Sequence, residues 1–321
     1  MSTLQRIHHR LHKEGPTSTM HWMLRGLYQR GSLHLFLLLG WIRSRWINLK
    51  RYELFALRNR LLFTRPIRVQ VEGSVIQIVP KGAEAAAIWS SIRFERYEIA
   101  FILKALQPGM VFCDIGANAG LFALTAAKHH PSVQVHAFEP CQWTFQVLQS
   151  NVQLNALRNV QTYRTALGNY IGEATLHVNA PGSDGLNTIG QPSHPDCQVV
   201  SQETVPITTL NAFLAEQSIS QVDVMKVDVE GAELLVFQGA RDLLILQEAP
   251  LILYEGYSWC TQGLSYHPVE IMWFLQDCGY AFFVLDSQTG KITSRESIHG
   301  YDAMIVAAKP IHFALIRGFI G

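Results

Sequence analysis

Three charged side chains lie at alternate positions in the most strand-like stretch of the sequence, VDVMKVDVEGAE (Val222–Glu233). They are Lys226, Asp228 and Glu230, and because side chains alternate along a strand, all three are expected on one face. An unpaired charge inside a sheet is costly, so we expect them where the carboxyl end of the strand opens on a cleft. A carboxylate there can take a proton from a reacting group. Asp228 is the first catalytic candidate and Glu230 the second, with Lys226 orienting the carboxylate or lowering the pKa of the substrate.

The same charges allow two other interpretations. Asp228 and Glu230, together with Glu255, would form an oxygen-rich site suited to Mg²⁺. A metal would repel the neighbouring Lys226, so no bound metal is predicted. Alternatively, Lys226 only pairs with a carboxylate and fixes the sheet. The sequence leaves both interpretations open beside the catalytic one.

A glycine-containing turn earlier in the chain indicates a nucleotide-binding site. The segment DIGANAG begins at Asp114 and joins a predicted strand to a predicted helix. Gly116 and Gly120 allow the close approach of a ligand, and Asn118 can cap the helix. Glu139 ends the next predicted strand, where a carboxylate can accept the hydroxyls of a ribose. These five residues are the predicted cofactor-binding residues.

The ligand of this turn is predicted from the residue that stands in place of a glycine. A dinucleotide site requires a second glycine against the pyrophosphate, and Asn118 occupies that position. S-adenosylmethionine, which has a ribose but no phosphate, fits better, because Asp114 would attract its ammonium group and the backbone of residues 116–120 its carboxylate. A nicotinamide-dependent oxidoreductase is the less favoured alternative. Glu139 by itself could also be a charge that is favourable at a helix N terminus.

Several segments together resemble the FkbM family of S-adenosylmethionine-dependent methyltransferases. They are FCDIGANAGLFAL, HAFEP, NVQLNAL, TALG and DVMKVDVEGAELLVFQGA, and they cover about residues 110–255. The resemblance implies a class I methyltransferase fold, with a Rossmann-like seven-stranded sheet whose last strand is antiparallel. It also implies methylation of a hydroxyl of a small molecule, natural product or sugar, with the DIGANAG turn and Glu139 holding S-adenosylmethionine.

The elements that would position these residues alternate between strand and helix from Val111 onward, which is typical of an α/β protein with a parallel sheet and helices on both faces. Ligands of such sheets bind at the carboxyl ends of the strands, where the DIGANAG turn and the charged trio both lie. The last two strands have a short polar link and are predicted to form a hairpin. Outside the alternation, the pattern predicts a small hairpin within 65–80, a helix at 90–106, a strand at 172–178 and a surface loop at 180–206. The predicted strands of the sheet are 110–116, 133–140, 160–168, one within 222–233, 251–257, 281–286 and 303–309, and the helices are 118–130, 141–157, 232–247 and 268–279.

The 321 residues are predicted to form four parts with an uneven charge distribution. Residues 1–68 hold 13 Lys and Arg against 2 Asp and Glu, whereas the rest holds 13 against 23. A basic piece therefore precedes an acidic body. The predicted parts are a basic helical N-terminal extension (1–65), a small hairpin and helix leading into the core (66–108), the S-adenosylmethionine-binding methyltransferase domain (109–310) and a C-terminal tail (311–321).

The basic extension suggests an anionic partner surface. Its apolar run Leu33–Ile42 has ten residues, whereas a membrane span needs roughly 20. We therefore predict peripheral membrane contact through residues 1–65. The alternative is a basic arm that packs on the acidic body of the same chain or of a dimer mate.

Cysteine usage and composition narrow the class of protein further. The five cysteines are scattered, which argues against a disulfide scaffold and a zinc site and favours a cytoplasmic location. A small-molecule hydroxyl acceptor is the expected partner, and no nucleic acid is expected. A non-catalytic, membrane-associated binding protein with the same fold is the second functional class.

Overall fold

The computed structural model describes seven segments of the chain, all within the compact unit that spans residues 51–321. The predicted basic extension, and with it the predicted membrane contact, lies outside the described residues. Within the described part of the chain, no helix is both long enough and apolar enough to cross a membrane. The described segments are residues 66–72, 74–79, 95–180, 183–194, 196–257, 261–295 and 303–321.

Strands and helices alternate through most of the described chain. The strands are β1 (Ile67–Val71), β2 (Ser74–Ile78), β3 (Val111–Ile115), β4 (Gln134–Phe138), β5 (Val160–Tyr163), β6 (Ala166–Leu167), β7 (Gly172–Asn179), β8 (Val199–Thr208), β9 (Val224–Val227), β10 (Leu251–Glu255), β11 (Ala281–Leu285), β12 (Ile292–Arg295) and β13 (Met304–Ala308). The α-helices are α1 (Arg96–Ala105), α2 (Leu121–His129), α3 (Gln142–Leu154), α4 (Leu210–Glu216), α5 (Glu233–Gly239), α6 (Arg241–Leu244), α7 (Pro268–Asp277) and α8 (Phe313–Ile316).

A central sheet of eight strands has the order β12-β11-β13-β10-β9-β3-β4-β5. The strands from β10 to β5 in this order are parallel. β13 lies antiparallel between β10 and β11, as predicted for the last strand. This is the predicted α/β architecture, and it places the carboxyl ends of β3, β4, β9 and β10 along one edge of the sheet.

Helices cover both faces of the sheet, and the residues of each strand alternate accordingly. In β3, Phe112 packs into the core that α1, α2 and α3 share, whereas Cys113 and Ile115 pack into the core that α4, α5 and α7 share. A strand buried on both faces needs apolar residues at successive positions. This requirement explains uninterrupted apolar runs such as Leu251–Tyr254.

The sheet has one strand more than the predicted seven. The extra strand, β12, forms in the segment that was predicted to be a short link, and it pairs with β11 at the edge of the sheet. Asp286 stabilises the turn between them, because its carboxylate accepts the N–H groups of Gln288 and Thr289. β11 and β13 are nevertheless antiparallel neighbours, as the hairpin prediction required.

The prediction of a surface loop at 180–206 is wrong in its second half, which belongs to strand β8. This strand pairs with β7 antiparallel and with β6 parallel, so the three form a second sheet. Val205 and Ile207 pack against Ala174 and Leu176 in a small core. The first four residues of β8 are exposed and residues 201–204 are polar, which made the segment resemble a loop. The predicted strand at 160–168 is divided into β5 and β6, and β6 belongs to the second sheet because it pairs with β8.

The helices that follow the DIGANAG turn and β9 have different bounds from those predicted. The helix predicted at 118–130 begins at Leu121, because Asn118 and Gly120 have φ angles of 48° and 95°. Its N-cap residue is Gly120, so the prediction that Asn118 caps the helix is wrong. The helix predicted at 232–247 is divided at Ala240 into α5 and α6.

The predicted small hairpin is present as β1 and β2, and two asparagines attach it to α3. Asn155 Oδ1 accepts the N–H of Gln77 at 2.8 Å and its Nδ2 donates to the carbonyl of Gln77 at 2.6 Å, as a neighbouring strand would. Asn151 accepts the N–H of Val79 and donates to the carbonyl of Ala119. Asn151 therefore connects the hairpin to the DIGANAG turn.

Candidate cofactor and acceptor site

Asp114 lies in β3, one residue before the strand ends, and is fully buried. Its Oδ2 accepts the N–H of Ala123 in α2 at 3.0 Å. Its Oδ1 receives no hydrogen bond from the described residues and lies 3.8 Å from Nζ of Lys226. Burial raises the pKa of the Asp114 carboxyl, although the Lys226 ammonium and the Ala123 N–H oppose this rise. The position therefore favours a further hydrogen-bond donor or a positive charge.

Gly116 and Gly120 have φ angles of 78° and 95°, a conformation that favours glycine. A Cβ atom at Gly116 would overlap the carbonyl oxygen of Asp228, and one at Gly120 would lie 2.5 Å from Cδ1 of Leu148. The chain itself therefore fills the space beside each glycine. Gly116 joins the DIGANAG turn to the segment that follows β9, while the role of both glycines in admitting a cofactor stays a prediction.

Glu139 directly follows β4 and is buried by the turn that surrounds it. Its Oε1 accepts the N–H of Cys141 at 3.0 Å and the hydroxyl of Thr144 at 2.7 Å, and its Oε2 accepts the N–H of Asn118 at 3.0 Å. Burial raises the pKa of this carboxyl to about 7, and the hydrogen bonds oppose the rise. A carboxylate oxygen accepts about two hydrogen bonds, so Oε2 has capacity for one ribose hydroxyl rather than the two expected.

Lys226 connects the DIGANAG turn to the segment after β9. Its Nζ lies 3.0 Å from Oδ2 of Asp228 and donates to the carbonyl of Gly116 at 3.2 Å. Burial alone would lower the pKa of this ammonium, but the charges of Asp228, Asp114 and Glu95 outweigh burial and raise it. Lys226 is therefore held as a cation and cannot serve as a base near neutral pH.

Lys226, Asp228 and Glu230 were predicted to share one face of a strand, but only Lys226 lies in the strand. β9 ends at Val227, so Asp228 and Glu230 lie in the following turn, and Glu230 has a φ angle of 54°. Carboxylate oxygens of Asp228, Glu230 and Glu255 lie within 4.8 Å of one another. Burial and the charges of Asp228 and Glu230 raise the pKa of Glu255 well above its usual value.

Glu95 is a member of this site that the sequence pattern did not indicate. It precedes α1 in a left-handed conformation, with φ 47°. Burial raises the pKa of its carboxyl to about 8, and the charges of Lys226, Asp228 and Asp114 also act on it. The helix predicted at 90–106 included Glu95, and no spacing connects this residue to the DIGANAG turn.

The residues present fit S-adenosylmethionine. Oδ1 of Asp114 and Oδ1 of Asn118 are buried acceptors without a donor among the described residues, and Glu139 has one position left. All three are acceptors, and carboxylates predominate around them. A cationic ligand with N–H and O–H donors suits this set, whereas a pyrophosphate would be repelled.

Comparisons with known proteins agree with this chemistry. The family model described as the methyltransferase FkbM domain matches residues 114–282, slightly more than half of the chain. Methyltransferase 1 of Beauveria bassiana is 32% identical over 145 residues, covering 40% of this chain and 57% of that protein. The 31-O-demethyl-FK506 methyltransferase FkbM of Streptomyces tacrolimicus is 28% identical over 160 residues, covering 43% and 62%. The chain thus spans about three fifths of the length of these two curated relatives.

Among solved structures, the chain is similar to the precorrin-6y C5,15-methyltransferase of Geobacter metallireducens, with a lower sequence identity than the two relatives above. It is 14% identical, covers 67% of this chain and 87% of its own, and has a TM-score of 0.38. This similarity is too low to carry an argument about the site.

Proposed function

The chain belongs to the FkbM methyltransferase family, whose cofactor is S-adenosylmethionine, and we propose that it methylates a hydroxyl group of a small molecule, natural product or sugar. The observation that carries this proposal is the cluster around Lys226. The ammonium group lies 3.8 Å from Asp114 and 3.0 Å from Asp228, which supports a shared site because Asp114 is a predicted cofactor residue and Asp228 a predicted acceptor residue.

The cofactor would be held at the DIGANAG turn. Asp114 Oδ1 and Asn118 Oδ1 are the acceptors available for its donor groups, and Glu139 Oε2 would accept a ribose hydroxyl. When bound, S-adenosylmethionine supplies an electrophilic methyl group. Asp114 and Glu139 are buried, so water is excluded from their hydrogen bonds, and these bonds are stronger than they would be in water.

Asp228 is the residue to which we assign removal of the proton from the acceptor hydroxyl. Its side chain is 23% exposed, whereas that of Asp114 is fully buried. The ion pair with Lys226 uses Oδ2, so we assign the proton transfer to Oδ1. Glu230 is the second candidate, and Lys226 orients the Asp228 carboxylate.

Calorimetry and a methyl-transfer assay test this proposal together. Wild-type protein should bind S-adenosylmethionine, and Glu139→Ala should weaken binding by about tenfold or more, because a charge-assisted hydrogen bond is lost. Asp228→Asn should lower turnover by about 100-fold or more and leave S-adenosylmethionine affinity within about twofold. Turnover is followed with methyl-labelled S-adenosylmethionine and a panel of hydroxylated small molecules that includes 31-O-demethyl-FK506.

Asp223→Asn is the matched control, because Asp223 precedes β9 at its opposite end and accepts the N–H of Val111. It should leave turnover unchanged. Failure of folded wild-type protein to bind S-adenosylmethionine would refute the proposal. Equal binding by Glu139→Ala would refute the role of Glu139. Fluorescence titration with NADH separates the nicotinamide alternative, which predicts NADH binding.

A divalent cation is a second possibility for the acceptor side. The oxygens of Asp228, Glu230 and Glu255 are close enough to share one ion, and Mg²⁺ prefers such ligands. Lys226 already compensates Asp228 at 3.0 Å, which favours a reaction without metal. Turnover that survives EDTA supports the metal-independent reaction, and turnover that returns only with Mg²⁺ supports the cation.

A further inference from the structure

The turn that carries the acceptor carboxylates, Asp228–Gly231, is held by side chains from outside it. Glu230 and Gly231 have φ angles of 54° and 102°, and a glutamate seldom adopts such a conformation. β3 contributes one backbone contact, in which the N–H of Asp228 donates to the carbonyl of Ile115. The strained part of the turn therefore depends on other contacts.

Glu233 supplies two of these contacts. It is the first residue of α5 and is buried with 1% of its surface exposed. Its Oε1 accepts the N–H of Val229 at 3.1 Å and the N–H of Gly231 at 3.2 Å. These two contacts connect the start of α5 to the turn that precedes it.

Tyr266 and Thr188 supply two more contacts from distant parts of the chain. The hydroxyl of Tyr266 donates to the carbonyl of Gly231 at 2.7 Å and lies 3.5 Å from Oε2 of Glu233. The hydroxyl of Thr188 donates to the carbonyl of Glu230 at 2.8 Å and accepts the N–H of Gly190 at 3.0 Å. Two N–H groups and two carbonyls of one short turn are therefore bonded to three side chains.

We propose that Glu233, Tyr266 and Thr188 are positioning residues that fix the Asp228–Gly231 turn so that its carboxylates face the acceptor. This inference rests on the proposed function. Oε1 of Glu233 and the hydroxyls of Tyr266 and Thr188 are hydrogen-bonded to the backbone of the turn. These groups therefore act on the acceptor through the position of the turn. A displacement of about 1 Å at reacting groups can lower turnover about 100-fold, so loosening the turn should affect catalysis before it affects cofactor binding.

Tyr266→Phe tests the inference with little risk to folding, because Tyr266 is only half-buried and loses one oxygen atom. Turnover should fall by about tenfold or more, while S-adenosylmethionine affinity and the melting temperature stay close to those of the wild type. Tyr280→Phe is the matched control, since the Tyr280 hydroxyl also donates to a backbone carbonyl, that of Pro250, at 2.9 Å. Equal turnover in the two variants would overturn the role of Tyr266.

Glu233→Gln and Glu233→Ala test the carboxylate. Glutamine keeps an oxygen that can accept both N–H groups, so Glu233→Gln should retain turnover within about threefold, whereas Glu233→Ala should lose about 100-fold. Hydrogen exchange at the amides of Val229 and Gly231 should accelerate in Glu233→Ala and stay near wild type in Glu233→Gln. Equal turnover losses in the two variants, or unchanged exchange in Glu233→Ala, would overturn the inference.

The exchange measurement separates this inference from the proposed function. If wild-type protein binds no S-adenosylmethionine, the proposed function fails, and exchange at Val229 and Gly231 still decides whether Glu233 holds the turn. If wild-type protein transfers methyl groups and Tyr266→Phe and Glu233→Ala do so equally well, the proposed function stands and the positioning role is wrong.

Discussion

Lys226 contacts both the DIGANAG turn and the segment after β9 through one ammonium group. Its neighbours are the carboxylates of Asp114 and Asp228, the carbonyl of Gly116 and, at 5.0 Å, the ring of Phe122. Removal of one partner from a buried ion pair leaves the other charge uncompensated. Lys226 is therefore required for the stability of the site, in addition to any role in the reaction.

Lys226→Met should destabilise the protein by about 3 to 5 kcal/mol. The loss should be smaller at lower pH, because burial raises the pKa of Asp114 and its protonation removes an uncompensated charge. Urea unfolding at several pH values measures both effects. Lys309→Met is a matched control, since buried Lys309 also donates to a carbonyl, that of Leu246, and lies 5.0 Å from an aromatic ring.

Lys309 has no carboxylate within ion-pair distance among the described residues, so its replacement should cost about 1 kcal/mol. Equal losses in the two variants would show that the carboxylates around Lys226 add nothing to its contribution.

The sequence predicted that Lys226 and Asp228 lie close together, although β9 ends at Val227 and Asp228 belongs to the turn that follows it. It did not predict Glu95, which precedes α1 and interacts electrostatically with Lys226, Asp228 and Asp114. Nor did it indicate that Glu233 bonds to the turn, since a glutamate at this position is an ordinary helix start. Contacts between residues distant in sequence leave no periodic pattern, and these were the ones missed.

At the level of elements, the prediction was most accurate where strands are buried on both faces. β3, β4, β9 and β10 were recognised from short apolar runs, and their common edge followed from the parallel arrangement. β8 was missed because half of it is exposed and polar. β12 was missed because it is a short edge strand. Its formation depends on pairing with β11 rather than on its own sequence pattern.

The connection between β3 and β9 at Gly116 leads to a prediction at this scale. A Cβ atom at Gly116 would overlap the carbonyl oxygen of Asp228, so Gly116→Ala should displace the turn after β9. We expect it to cost more than about 3 kcal/mol of stability, from the positive φ angle and overpacking together, and to weaken S-adenosylmethionine binding by about tenfold.

Gly109→Ala separates backbone strain from the clash. Gly109 has a φ angle of 86°, and a Cβ atom there would have no neighbour within 4 Å. The variant should therefore cost only about 1 to 2 kcal/mol and bind S-adenosylmethionine normally. If both variants behave alike in calorimetry and urea unfolding, the contact between Gly116 and Asp228 is unimportant.

On the scale of the whole molecule, the sequence predicted an acidic body after a basic extension. The extension lies outside the described residues, so its membrane contact and the cytoplasmic location stay predictions. The acidic character of the body is concentrated in part at the site, where burial raises the pKa of Glu139 and Glu233 to about 7 and that of Glu95 to about 8. A folded chain with many buried carboxyls holds protons that the unfolded chain releases.

This charge distribution fixes the direction in which stability depends on pH. Glu139 and Glu233 have a usual pKa of 4.5 and a folded pKa of about 7, so between these values the folded state binds more protons than the unfolded state. The slope of the free energy of unfolding against pH is proportional to the number of protons bound by the unfolded state minus the number bound by the folded state. This difference is negative here, so stability decreases as the pH rises. The contribution of these groups is present near pH 4.5 and is lost as the pH rises through about 7.

We therefore expect the free energy of unfolding, without cofactor, to decrease from about pH 5 to about pH 7.5. The same carboxyls should make S-adenosylmethionine bind more tightly as the pH rises, because a cation favours their ionised form and releases their protons. Urea unfolding measures the first effect, and calorimetry in buffers of different ionisation enthalpy measures the second. Glu139→Gln should reduce the pH dependence of stability by about one proton. Stability that increases over this range would mean that the carboxyls are ionised in the folded protein.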